Sequence, residues 1–232
     1  MNLYADNLWY IHYPEFLSRK ERFLLFFQRP KRRALQSKKI IASSFSTKDD
    51  LVKYWGVPDG AVEVLYPVNG IAPISSNRKD VEFVKNKYNL PPPFFLFWDE
   101  GNGAVQNKKG LSRAFARFQE NCPESDVELV TFLADEIPRD HRGIISRLAL
   151  ASIFPHFYLG SSTLLLEALA AQSPIVASQS GAGPEVLNDA AVLIDPWRLE
   201  ELAFYMQELS SDDRLRAMLS EKSARRFAEL AC

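Results

Sequence analysis

Short β-like runs alternate with helical stretches along most of the chain, and that alternation restricts the fold more than any other feature. In SKKIIASSFSTKDDLVKYWGVPDGAVEVLYPVNG, residues 40–42 form a β-like run. Ser46 then stands three before Asp49, the spacing of a cap and a reciprocal carboxylate at a helix start. Leu51, Val52 and Trp55 continue at helical spacing, Gly56, Pro58 and Gly60 end the helix, and AVEVLYP resumes as a strand. Beyond the Gly-, Pro- and Ser-containing stretch from Asn69 to Pro93 the pattern repeats. FFLFW reads as a buried strand and GLSRAFARFQE as a helix with Leu111, Phe115 and Phe118 on one face. VELVTFLA, SIFP, PIVAS and AAVLIDP read as strands, with HRGIISRLALA and STLLLEALAAQ as helices among them, and two amphipathic helices start near Trp197 and Asp212. This grammar predicts an α/β protein with a doubly wound, Rossmann-like parallel sheet in its C-terminal part and a partial N-terminal α/β segment. A junction near residues 69–74 divides the expectation into residues 1–70 and 71–232.

Charge narrows the partners. With 25% charged residues and a formal net charge of -1, nothing global points to nucleic acid. The two cysteines, Cys122 and Cys232, have no metal-type spacing and fit a reducing compartment, so a cytoplasmic protein is expected. No apolar run reaches membrane-span length, and MNLYADNLWYIHYPE lacks the layout of a secretory signal. His141 and His156 have no metal-type spacing either.

In such sheets, ligands sit where strands give way to helix N-termini. Three loops rich in small residues fall there. In FYLGSS, Gly160 permits close backbone approach, Ser161 and Ser162 can cap, and the free amides of the next helix favour an anion such as a diphosphate. That helix is apolar nearly all round except for Glu167, which either caps a backbone or pairs with a lysine, the commoner outcome, or takes a ribose hydroxyl pair. DEGNGAVQNKKG offers Lys108 or Lys109 to a phosphate, or is a solvated turn. SGAGPEVL places Gly181 and Gly183 before Glu185.

The run PHFYLGSSTLLLEALAAQSPIVAS, then GAGPEVLNDAAVLIDP, resembles the C-terminal nucleotide-sugar domain of glycosyltransferase family 4, of GT-B fold. The family pattern is P-S-x-x-E-G-F-G-x-x-x-x-E-A-x-A-x-G-x-P-V-V, then P-E-V and G-D-A-A-x-L-V-D-P. The likeness extends upstream through NKKGLSRAF to about Lys38. It implies hexosyl transfer, with retention, from a nucleotide-sugar to a glycan or lipid-linked acceptor, without metal or other cofactor. It implies that Glu167 binds the donor ribose, and that Gly160 with the amides of Ser161, Ser162, Thr163 and Leu164 faces the diphosphate. Lys109 is then the catalytic lysine offsetting leaving-group charge, and Glu185 lies beside the donor pocket.

Several positions depart from the pattern. Leu159 stands where the family has the first glutamate of its pair, GNGAV fills the place of an arginine, and Gln172 replaces a glycine. The stretch between NKKG and FYLG is short, and only the last portion of an acceptor-side domain is recognisable, so a partner chain could complete the site. A noncatalytic glycosyltransferase-like subunit that binds nucleotide or supports an enzyme is the rival expectation. Finally, ERFLLFFQRPKRRALQSKK joins an apolar aromatic run to a basic cluster. It reads as a core-facing helix with a solvated basic end, the commoner case, or as a contact with an anionic membrane surface.

Overall fold

The structure is a computed structural model that describes residues 2–5, 8–71, 74, 77–101, 103–160 and 163–231. Its first part runs β1 (Asn2–Ala5), α1 (Trp9–His12), a 3-10 turn (Pro14–Phe16), α2 (Arg19–Gln28), α3 (Pro30–Leu35), β2 (Lys39–Ala42), α4 (Phe45–Trp55) and β3 (Val62–Val64). Its second runs α5 (Arg78–Lys87), β4 (Phe94–Asp99), α6 (Lys108–Asn121), β5 (Glu128–Leu133), α7 (Arg139–Leu148), β6 (Ala151–Phe154) and α8 (Thr163–Ala170). It closes with β7 (Ile175–Ser178), α9 (Gly183–Leu187), β8 (Val192–Ile194), α10 (Leu199–Ser211) and α11 (Asp213–Ala231).

Two parallel sheets result, one of order β1-β2-β3 and one of order β5-β4-β6-β7-β8. The larger one is α/β and doubly wound, as expected. Strand β4 shows why: every residue from Phe94 to Trp98 is buried, so both faces must be covered. Phe94, Leu96 and Trp98 enter a core with α7 and α8, while Phe95 and Phe97 enter a second core with α6 and α10. Burying aromatic side chains on both faces stabilises the strand by about 2–3 kcal/mol each. The chain order reverses between β4 and β6, which makes the gap between their carboxyl ends the switch point where a crevice opens.

One local expectation is corrected. The α4 cap is Ser44, whose Oγ accepts the Thr47 amide at 3.0 Å, so the helix starts at Phe45 and Ser46 lies inside it. A carboxylate outside the segment supports this start: Glu185 accepts the amides of Phe45 at 2.8 Å and Ser46 at 2.7 Å. Both belong to the first turn, where amides lack intrahelical partners.

Helix α2 has a complete capping box between Ser18 and Glu21 and buries none of its residues. Phe23, Phe26 and Phe27 are each more than 60% exposed, so the core-facing reading of this stretch does not describe α2.

Candidate functional site

The carboxyl rim of the larger sheet is tied together by backbone acceptors. Asn107 takes a left-handed conformation, φ 55°, just before α6, and its Nδ2 donates to Pro155 O at 3.1 Å and Pro196 O at 2.8 Å. One carboxamide thus joins the loops after β4, β6 and β8. Gly110 makes room for it, because a Cβ there would lie 2.2 Å from Asn107 Oδ1. Phe157 N donates to Val105 O at 2.8 Å, a second tie between the first two loops.

Within the β4–α6 loop, Asp99 pairs with Lys108 and accepts from the Gly101 amide and Gln106. Burial opposes its ionisation, but these bonds outweigh burial and hold its pKa below the ordinary value. Lys109, by contrast, is exposed and opens onto a cavity of about 720 Å³ with Phe157 and Trp197.

After β6, Gly160 and α8 from Thr163 are described, while Ser161 and Ser162 lie outside the described residues. Thr163 begins the helix half-buried and Leu164 is 5% exposed. Leu159 is only 1% exposed and packs in the core, and its carbonyl accepts the Ala182 amide at 2.7 Å. Gly181, at φ 61°, is needed opposite it, since a Cβ would come within 2.3 Å of Leu159 O. The position thus presents packed hydrocarbon where the family pattern has a glutamate.

Glu167 is 5% exposed, and its Oε1 accepts from Arg142 Nη2 at 2.8 Å. Its partner is an arginine on α7, not a lysine, and Arg142 also donates to Ala134 O at 3.2 Å. Glu167 Oε2 and Arg142 Nε are buried with no hydrogen-bond partner among the described residues. Burial raises the pKa of Glu167, with Arg142 and Arg139 pulling the other way. Beside it lies a cavity of about 10 Å³ lined by Ile71, Ile74, Arg139 and Gly143, at the lower limit for one water.

Glu185 lies between the two sheets. Besides the α4 amides it accepts from Tyr66 Oη at 2.9 Å, and burial first and this bond second raise the Tyr66 pKa to about 12. Beside it, Asp50 accepts from Tyr158 Oη at 2.5 Å and lies 2.8 Å from His12 Nε2. The His12 and Tyr158 rings stack at 4.8 Å. Burial, then Asp50, raises the Tyr158 pKa, so the phenol stays a donor. A cavity of about 610 Å³ lies here, lined by His12, Asp50, Lys53, Gly181 and Glu185 among others.

The rim residues expected from sequence therefore occupy three surroundings: Lys109 an open cavity, Glu167 a closed one, and Glu185 the junction between sheets. Arg142, Asp50, Tyr158 and Asn107 were not anticipated. Arg142 had a signal, a charge on the otherwise apolar face that Ile145 and Ala149 continue. His156 is 2% exposed at the switch point, with both ring nitrogens lacking hydrogen-bond partners among the described residues and Nε2 3.6 Å from Glu100 Oε1. Among the described residues no group of three or more metal-type side chains converges, and no helix is long and apolar enough to cross a membrane.

Known proteins share this fold. Residues 132–226 match the family model described as glycosyl transferases group 1. The O-antigen chain mannosyltransferase RfbU of Salmonella typhimurium is 24% identical over 200 residues, covering 80% of this chain and 54% of that protein. The chain thus spans about half the length of this curated relative. Sucrose-phosphate synthase from Thermosynechococcus elongatus superposes with a TM-score of 0.74 at 15% identity, over 99% of this chain and 63% of that one. Anabaena Alr3699/HepE, solved in complex with UDP and glucose, superposes with a TM-score of 0.72 at 14% identity, over 98% and 66%. At such identities the superpositions establish the fold, which is GT-B-like.

Proposed function

We propose, for a GT-B-like chain that carries a glycosyl transferases group 1 segment at residues 132–226, transfer of a hexosyl group from a nucleotide-sugar to a glycan or lipid-linked acceptor, with retention. The observation that supports this most is the rim at the switch point, where the β6–α8 loop leading to Gly160 is tied to the β4–α6 loop before Lys109 through Phe157 N to Val105 O and Asn107 Nδ2 to Pro155 O.

In this reading the diphosphate lies against Gly160 and the amides of the first α8 turn, from Ser161 to Leu164. Lys109 swings in as a mobile cation and offsets the charge that builds as the nucleoside diphosphate departs. No metal is required for that step. Glu167 holds the ribose through Oε2, its Oε1 being fixed by Arg142. Glu185 lies beside the donor pocket and holds α4 and Tyr66 there through its carboxylate. The exposed phenylalanines of α2, followed by Arg29, Lys31, Arg32 and Arg33, meet an anionic membrane surface where a lipid-linked acceptor would lie.

A second reading is favoured by Leu159, whose buried side chain leaves no acceptor for a sugar hydroxyl at that position. There the chain binds nucleotide, or supports a partner chain that completes the acceptor side, without turning over donor. Calorimetric titration with UDP, GDP and ADP, then with the matching sugar nucleotides, separates the readings. Saturable binding with release of the sugar or its transfer supports the enzyme. Binding without turnover supports the second reading, and no binding by folded protein overturns the donor site.

A further inference from the structure

The 720 Å³ cavity beside Lys109 is of the size that holds small ligands, and it does not include Gly160, Glu167 or Glu185. Its apolar side is aromatic. Trp197 is 61% exposed and lies 4.1 Å, ring centre to ring centre, from Phe157, which in turn contacts Phe16 at 5.3 Å. An indole supported by one ring and open to solvent offers an electron-rich surface to the polarised C–H groups of a sugar ring.

The other side is cationic. Lys108 is neutralised by Asp99, but the side chains of Lys109 and Arg113 make no hydrogen bond or ion pair among the described residues. They stand four apart on α6, where like charges repel, and a dianion between them would relieve that repulsion. Arg113 adds a planar fork matched to phosphate oxygens. No side chain caps α6, whose first turn lines the same cavity.

From this juxtaposition we infer that the cavity is a binding site for a phosphorylated saccharide, with the sugar ring on Trp197 and its phosphate between Lys109 and Arg113. The site goes beyond the donor reading. It shares only Lys109 with it and needs no nucleoside.

The protein carries its own reporter. Of its four tryptophans, Trp9, Trp55 and Trp98 are no more than 9% exposed, so quenching by neutral acrylamide reads Trp197. Glucose 6-phosphate is expected to protect Trp197 saturably, whereas methyl glucoside and inorganic phosphate at equal concentration do not. Arg113→Gln, on an exposed side chain, should weaken glucose 6-phosphate binding about tenfold or more, the effect of losing a charge-assisted hydrogen bond. Trp197→Ala should abolish calorimetric binding while leaving circular dichroism unchanged. Equal protection by phosphate would reduce the site to an anion trap, and equal protection by glucuronate would remove the assignment to phosphate. Equal or stronger protection by UDP would make the cavity part of the donor site, and no protection by any compound overturns the inference. A failed nucleotide titration alongside protection by glucose 6-phosphate would count against the donor site alone.

Discussion

Gln172 closes α8 at φ 58°, a conformation that costs an L-residue about 1–2 kcal/mol. Its amide donates to Leu169 O and the Ser173 amide to Ala168 O, the paired bonds of a helix end that glycine ordinarily completes. Gln172→Gly should therefore raise stability by about 1 kcal/mol, read as a higher urea midpoint at unchanged slope. An equal or lower midpoint would mean that the wild-type turn carries no strain. This position was legible from the sequence, where glutamine replaces the glycine of a pattern. Glu167 was legible as an oddity, but Arg142 was not, because only packing of α7 on α8 brings them together. The raised Glu167 pKa means that the folded state holds this proton more tightly than the unfolded one. Its contribution to stability is fully present below the unfolded pKa and is lost as pH rises through the folded value. Glu167→Gln keeps an acceptor for Arg142 and fixes the neutral form. Its stability relative to wild type should improve as pH rises from below the ordinary glutamate value to pH 8 in urea unfolding, and a constant difference over that whole range would refute the direction.

At the start of α6, the atoms that a Cβ on Gly110 would meet first all belong to Asn107. Gly110→Ala drives a methyl group into the carboxamide that holds Pro155 O and Pro196 O, so it should cost about 1–3 kcal/mol. In an Asn107→Ala background the same change no longer meets the carboxamide and gains helix propensity, about 1 kcal/mol in the favourable direction. Chemical unfolding of the four proteins tests this, and additive effects would sink the account. At α4 the sequence supplied several serines close together, and local spacing selected the wrong one. The Ser44 cap on the Thr47 amide is local, but Glu185, more than a hundred residues away, takes the Phe45 and Ser46 amides, which no local pattern can show. Glu185→Ala should destabilise by about 0.5–2 kcal/mol, the range for losing a cap, and speed hydrogen exchange at Phe45 and Ser46. Unchanged exchange at both amides would show that water replaces the carboxylate at no cost.

Across the molecule, alternation of strands with amphipathic helices was enough to read the larger sheet, since a parallel sheet covered on both faces buries its central strands β4, β6 and β7 almost throughout, while the edge strand β5 stays partly exposed. How the rim closes was not readable, because it depends on segments that meet only after folding. Ile71 and Ile74 illustrate this: they fall in a stretch that reads only as a Gly-, Pro- and Ser-containing connection, yet they line the cavity beside Glu167. Ile74 packs so closely that a Cβ on Gly143 would lie 2.6 Å from its Cγ1. If a donor ribose takes Glu167 Oε2, it needs volume that these side chains hold, so nucleotide binding must displace them at a cost in apparent affinity. Ile74→Ala removes most of that obstruction while leaving every proposed donor contact in place. It should strengthen binding of the cognate nucleotide about tenfold by calorimetry, even as the protein loses some stability from the deleted apolar contacts. Glu167→Gln combined with Ile74→Ala should cancel part of the gain, because the freed volume would then lead to a carboxamide in place of a buried carboxylate oxygen. Unchanged affinity in Ile74→Ala would mean that the nucleoside lies elsewhere, and that Glu167 serves the packing of α7 on α8 alone.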